Sequence, residues 1–247
     1  MSGGQLIVTL VVIAVASLVK AITGTGFPLI VTPILTLFLP LEDVVAIVAV
    51  PNAVSNVVLA GRERGHWPDT RDLPTILGFG LVGAVAGTFV LVSVPERPLL
   101  LALAALVVAF VANSLRRPDF EIGPDRSRRW SPAVGFAAGV SQGAVGISGP
   151  IVVPWIQSYR LPRNAQVLSV TSIFLVTGMA QVATLAANGE YGGERLGLAL
   201  VAIVPTLAAI PLGTRLRERL GRSAFDRAVL GIIGLSGLSL LLRALAG

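Results

Sequence analysis

Long apolar stretches alternate with short polar gaps along the whole chain. Apolar segments occupy about 5–22, 24–39, 43–60, 73–94 and 97–115, then about 132–145, 147–159, 164–187, 195–215 and 223–245. Several approach the ~20 residues a helix needs to cross a bilayer, so the pattern predicts an all-α polytopic membrane protein with ten helical segments. The second segment of each set of five is shorter, roughly 13 to 16 residues, and falls short of a comfortable crossing. A polar stretch at 116–131, carrying Arg116, Arg117, Asp119, Glu121, Asp125, Arg126, Arg128 and Arg129, parts the two sets. The expected organisation is one integral membrane domain: a first repeat over 1–115, an arginine-rich cytoplasmic linker over 116–131, and a second repeat over 132–247.

The two sets share more than a hydropathy profile. Gly24-Thr25-Gly26-Phe27-Pro28-Leu29-Ile30-Val31 aligns with Gly146-Ile147-Ser148-Gly149-Pro150-Ile151-Val152-Val153 at an offset of 122 residues. The same offset places Leu39-Pro40 on Leu161-Pro162, Lys20 on Gln142 and Ser55 on Thr177. Glycine and proline thus interrupt corresponding apolar runs in both halves. In membrane proteins that pattern points to broken or re-entrant helices that build a substrate site.

Charge orients the segments. With 61–72 and 116–131 in the cytoplasm and strict alternation elsewhere, 16 of the 19 basic residues fall on the inner side. The outer side keeps Arg97, Arg195 and Arg243, beside the acidic Glu42, Asp43, Glu96, Glu190 and Glu194. Both termini are then expected on the non-cytoplasmic side. The loop 61–72 lies inside and its counterpart near 187–194 outside, so the repeats are expected to be inverted in the membrane. Ten full crossings, or six crossings with a re-entrant hairpin opening each half, satisfy the charge pattern equally well.

Composition agrees and removes several chemistries. The chain has 247 residues, 54% of them hydrophobic and 13% charged, about half the usual globular share of charge. A net charge of +6 would point to nucleic acid in a soluble protein, but here the arginines sit in short gaps between apolar runs, with no stacking aromatics among them. The absence of cysteine excludes disulfides and thiolate catalysis, and the single histidine, His66, makes a histidine metal centre unexpected. No cofactor and no metal are expected, and no paired carboxylates offer enzymatic acid–base work. The run Leu6–Val19 lacks a basic leader and reads as a first span, not a signal peptide.

The candidate chemistry gathers around the two breaks. A helix restarting near Pro28 or Pro150 offers uncapped amides and a positive dipole end, which together suit an anion. Candidate ligands are Lys20, Thr23, Gly24, Thr25 and Gly26 at the first break, and Ser141, Gln142, Gly146, Ser148 and Gly149 at the second. Lys20 is the only lysine, and Gln142 at its repeat position would add a neutral donor. Asn52, Ser55 and Asn56 recur at helical spacing on one face, with Thr171 and Ser172 in the matching segment, as candidates to line a path. Plainer roles exist for each: Lys20 snorkelling to the surface, the glycines permitting close packing. No acidic residue lies in mid-span, so nothing obvious holds a coupling proton. Export of an anion from a negative interior is downhill by ~2.3 kcal/mol per charge per 100 mV, and needs no such group.

The duplicated glycine–proline element, the short partner segments and the arginine-rich centre resemble the TauE/SafE family, also known as DUF81. The clearest stretches are Lys20–Asn56 and Gly139–Gly178, although Gly24-Thr25-Gly26 holds fewer consecutive glycines than the family element. The resemblance implies an inner-membrane transporter of sulfite, sulfoacetate or related organosulfonates, and the inverted repeats with their paired breaks point to export by alternating access. Expected partners are a small anionic substrate and the lipid bilayer, with homo-oligomerisation allowed and no nucleic acid. An anion channel of the same fold, or a carrier of another small organic anion, are the alternatives.

Overall fold

The computed structural model describes residues 3–23, 26–116, 120–217 and Gly234. Nine α-helices account for nearly all of them: α1 (Gly3–Thr23), α2 (Phe27–Leu35), α3 (Leu41–Glu63), α4 (Leu73–Ser93), α5 (Glu96–Arg116), α6 (Pro124–Val145), α7 (Gly149–Gln157), α8 (Arg163–Ala187) and α9 (Gly193–Arg217). A short 3-10 turn, Arg64–Asp69, extends α3. The tenth expected segment, 223–245, falls outside the described residues apart from Gly234. The polar stretch between the halves is shorter than the sequence pattern implied, because Pro124 at the first turn starts α6 and carries it through Arg126–Arg129.

Six helices among the described residues are long and apolar enough to span a bilayer: α1, α3, α4, α5, α8 and α9. The helices α2 and α7 hold nine residues each, about 13 Å of rise against a hydrocarbon core of about 30 Å. Neither can cross by itself. The protein is therefore a polytopic helical membrane protein in which two short helices end within the fold.

The offset of 122 residues reappears in the backbone. Under it the end of α1 falls on the end of α6, both ends of α2 on those of α7, and the start of α3 on the start of α8. Pro40 and Pro162 cap α3 and α8 with nearly the same dihedrals, φ −58° and ψ 142° against φ −52° and ψ 145°. Packing follows a corresponding exchange. The first half's α1 lies on α9 of the second half, and the second half's α6 lies on α4 of the first; α3 and α8 pack together at the centre.

Polarity runs opposite to that of a soluble domain. Ile7, Val11 and Val15 of α1, Phe79, Val82 and Phe89 of α4, and Leu200, Val204 and Leu212 of α9 face outward, while Lys20, Asn52, Asn56, Gln142 and Gln181 are buried. An outward apolar belt is what lipid requires, and inward polar groups must then find one another.

The closest helix contact is between α4 and α6, and glycine makes it. Gly80, Gly83 and Gly87 interleave with Gly135, Gly139 and Gly143. A Cβ on Gly139 would sit 2.1 Å from the Gly80 carbonyl oxygen, and one on Gly87 2.2 Å from that of Val140. Such backbone-to-backbone approach is how membrane helices gain dispersion energy without a hydrophobic drive. The two ends of the bundle are tied by polar groups. At the α3 N-terminus, Arg195 bonds Asp43 (2.7 Å) and Glu42 (2.9 Å), and also pairs with Glu190. Tyr191 donates to the Ala46 carbonyl at 3.1 Å. At the other end Ser127 donates to Asp72 at 2.6 Å, and Asn164 meets His66 at 3.1 Å.

Gly139→Val should cost more than about 3 kcal/mol, since the clash is with backbone that no rotamer change relieves. The expected result is loss of folded, monodisperse protein in detergent by fluorescence-detected gel filtration. Gly197→Ala on α9, where a Cβ meets nothing within 4 Å, should leave the elution profile unchanged.

Candidate functional site

A left-handed glycine and a first-turn proline mark each break. Gly26 stands at φ 98° before α2, and Gly146 at φ 73° ends α6, both in the left-handed region that favours glycine. Pro28 and Pro150 occupy the first turns of α2 and α7, where a missing N–H costs nothing. No side chain caps either helix, so the dipole ends and first amides are left to other partners.

Lys20 lies in the last turn of α1, one turn before the first break, and is only 3% exposed. Its ammonium donates to Asn52 Oδ1 at 2.8 Å and to Ser55 Oγ at 2.7 Å, both on α3. The Ser55 hydroxyl in turn donates to the Asn52 carbonyl at 2.8 Å, and Asn56 Nδ2 reaches Asn52 Oδ1 at 3.5 Å. Phe27, the first residue of α2, puts its ring 5.8 Å from the ammonium, within cation–π range. Thus Lys20, Asn52, Ser55 and Asn56, distant in sequence, form one cluster, and Asn56 Oδ1 in it is buried with no donor. No carboxylate among the described residues pairs with Lys20; their ion pairs lie near the helix ends. A buried ammonium costs several kcal/mol unless an opposite charge accompanies it.

The second break is held by amides. Gln142 Nε2 donates to Gln181 Oε1 (3.0 Å) and, more weakly, to the Gly146 carbonyl (3.3 Å), while its Oε1 accepts from Ser148 Oγ (2.9 Å). Gln181 Nε2 donates to the carbonyls of Gln142 (2.6 Å) and Gly143 (3.2 Å), and Ser141 Oγ donates to the carbonyl of Ile147. The candidates Ser141, Gln142, Gly146 and Ser148 therefore meet, and the Gln142 side chain is taken up by the break itself. Gly149, the first residue of α7, packs against Leu29 of α2 and Phe174 of α8.

The remaining candidates are more dispersed. Thr171 Oγ1 donates back to the carbonyl of Val167 at 2.7 Å in its own helix, and Ser172 is buried. Gly24, Thr25 and the side chain of Thr23 lie outside the described residues. Gln181 was absent from the expected site, although Thr177, Gln181 and Thr184 share one face of α8 at the spacing that singled out Asn52 and Ser55. A cavity of about 500 Å³ lies elsewhere, beside Asp43, Glu190 and Arg195, and its lining includes none of the Lys20 cluster.

Paired broken helices, buried polar clusters and an outward apolar belt define a multi-pass membrane protein of the transporter class. The family model for the sulfite exporter TauE/SafE matches residues 9–240. The chain belongs to that family of membrane transporters. Neither curated proteins nor solved structures give a match.

Gln181→Leu removes the donor to two buried carbonyls and the acceptor for Gln142 Nε2. Unfolding of the purified protein should shift by about 1–3 kcal/mol, the cost of buried polar groups left unpaired. A thermal midpoint equal to that of the unaltered protein would show that the break holds without it.

Proposed function

We propose that this chain carries sulfite or a related organosulfonate out of the cell across the inner membrane, by alternating access between two inverted repeats. The observation that carries the proposal is Lys20: a buried ammonium with amide and hydroxyl partners but no carboxylate among the described residues. A small anion next to it would supply the missing opposite charge. Neutral donors around a single cation suit a weakly charged anion that must also leave.

Lys20, Asn52, Ser55 and Asn56 form the charged side of this site. The first break supplies Gly26 with Thr23, Gly24 and Thr25, and the second supplies Gly146, Ser148 and Gly149 from the opposite helix N-terminus. Gln142 and Ser141 keep the second break in shape, and Thr171 and Ser172 flank the path. The coincident helix boundaries and the exchange of α1 and α6 between halves support a two-fold relation between the repeats, and the opposite placement of 61–72 and 187–194 under the charge pattern supports its inversion. The basic residues collected on one side support an inner-membrane orientation with both termini outside. Polar ties at both ends, around Arg195 and around Asp72, would open in turn. Outward movement of an anion follows the membrane potential, consistent with the lack of mid-span carboxylates.

In proteoliposomes, sulfite flux should saturate, show countertransport and fall at least tenfold in Lys20→Met, a loss of more than about 1.4 kcal/mol of binding. Flux at the wild-type rate in folded Lys20→Met would remove this site. Linear, non-exchanging flux would indicate a channel.

A further inference from the structure

Two buried hydroxyls among the described residues, Thr9 and Thr32, are left without a partner, and Thr32 is the one that lies against a break. Thr32 sits on α2, fully enclosed at 0% exposure, and its Oγ1 has no hydrogen-bond partner among the described residues. A threonine inside a helix ordinarily returns its hydroxyl to a carbonyl three or four residues earlier, as Thr36 and Thr177 do here. Thr32 does not. Its hydroxyl oxygen instead lies 3.7 Å from where a Cβ on Gly146 would stand, directed at the second break.

The position follows from how α2 is laid across the molecule. Its first residue, Phe27, lies under the Lys20 ammonium. Leu29 packs on Gly149 and, one turn further, Thr32 faces Gly146. One helix of nine residues thus runs from the charged cluster to the other half's break. There the Thr32 hydroxyl faces Gly146, three residues before α7 begins at Gly149 with no cap from the Ser148 side chain. Gly146, at φ 73°, brings backbone with no side chain to that point. The repeat equivalent of Thr32 is Pro154, which has no donor, so only the second break is supplied this way.

We propose that Thr32 is a substrate-positioning residue. Its hydroxyl and the N-terminal amide of α7, at Gly149, form an uncharged subsite for one oxygen of the oxyanion, opposite the Lys20 cluster. An unpaired buried hydroxyl costs free energy that a bound oxygen acceptor offsets, and hydrogen bonds to a charged acceptor are the stronger kind. The division of labour is chemical. Lys20 answers the charge, and Thr32 fixes where an oxygen lies, which separates oxyanions from halides of equal charge. The inference rests on the proposed anion site and adds a residue to it.

The test uses the full-length protein, with binding read as the sulfite concentration that gives half-maximal thermal stabilisation, and KM and maximal flux measured in proteoliposomes. Chloride at equal ionic strength serves as the comparison anion. Thr32→Val should weaken sulfite binding and raise KM about tenfold, leave maximal flux within a few-fold, and narrow the preference for sulfite over chloride. Thr32→Ser should restore all three. The midpoint without sulfite should not fall, because valine keeps the shape and removes the unpaired hydroxyl. If Thr32→Val does not fold, Thr32→Ala is judged by the same comparison with Thr32→Ser. Wild-type binding and selectivity in a folded hydroxyl-free variant would overturn the subsite while leaving Lys20 in place. Wild-type binding in Lys20→Met as well would overturn the anion site on which it rests.

Discussion

A helix that stops inside a membrane must find partners there for the backbone groups it releases, because hydrocarbon supplies none. Much of the polar interior of this protein answers that constraint at two places. At the second break the carbonyls of Gln142, Gly143, Gly146 and Ile147 are met by the side chains of Gln142, Gln181 and Ser141. At the first, the end of α1 is anchored to mid-helix α3 through Lys20, Asn52 and Ser55. Similar backbone interruptions are therefore stabilised by unlike chemistry, neutral amides in one half and an ammonium in the other. That difference gives the centre a single positive charge.

The interlocking of the halves follows from the same need. Short helices α2 and α7 are too short to cover α1 and α6 along their length, and these pack mainly on α9 and α4 of the opposite half. Glycine lets α6 and α4 meet backbone to backbone, where the reward is dispersion and not water release. The α1–α9 pair is less glycine-rich and adds a hydrogen bond, Ser17 to Thr206 at 3.1 Å. The central pair α3–α8 then carries both polar faces, and the breaks come to lie beside it. Arg195, shared among three carboxylates at one end, is a stronger tie than His66 with Asn164 at the other.

The helices were legible because their signals are local. An unbroken apolar run has one stable form in lipid, and Gly26, Pro28, Gly146 and Pro150 end or begin helices by their own backbone preferences. Internal duplication sharpened those signals to single residues, so the offset of Pro40 to Pro162 already marked where α3 and α8 begin. The start of α6 was missed because charge and helix formation are compatible: Arg126–Arg129 were read as a linker for their polarity alone. Gln181 was missed because its importance depends on a neighbour 39 residues away.

By itself the sequence determined the class of protein, the helical segments among the described residues and the two breaks, since each depends on hydrophobicity, charge or backbone preference within a few positions. Only the tertiary structure decided which polar groups meet. It put the Lys20 ammonium against Asn52 and Ser55, locked Gln142 to Gln181, and turned Thr32 of the first half toward Gly146 of the second. Those pairings depend on how α2, α3, α6 and α8 cross, and crossing is set by side-chain packing between segments far apart in the chain.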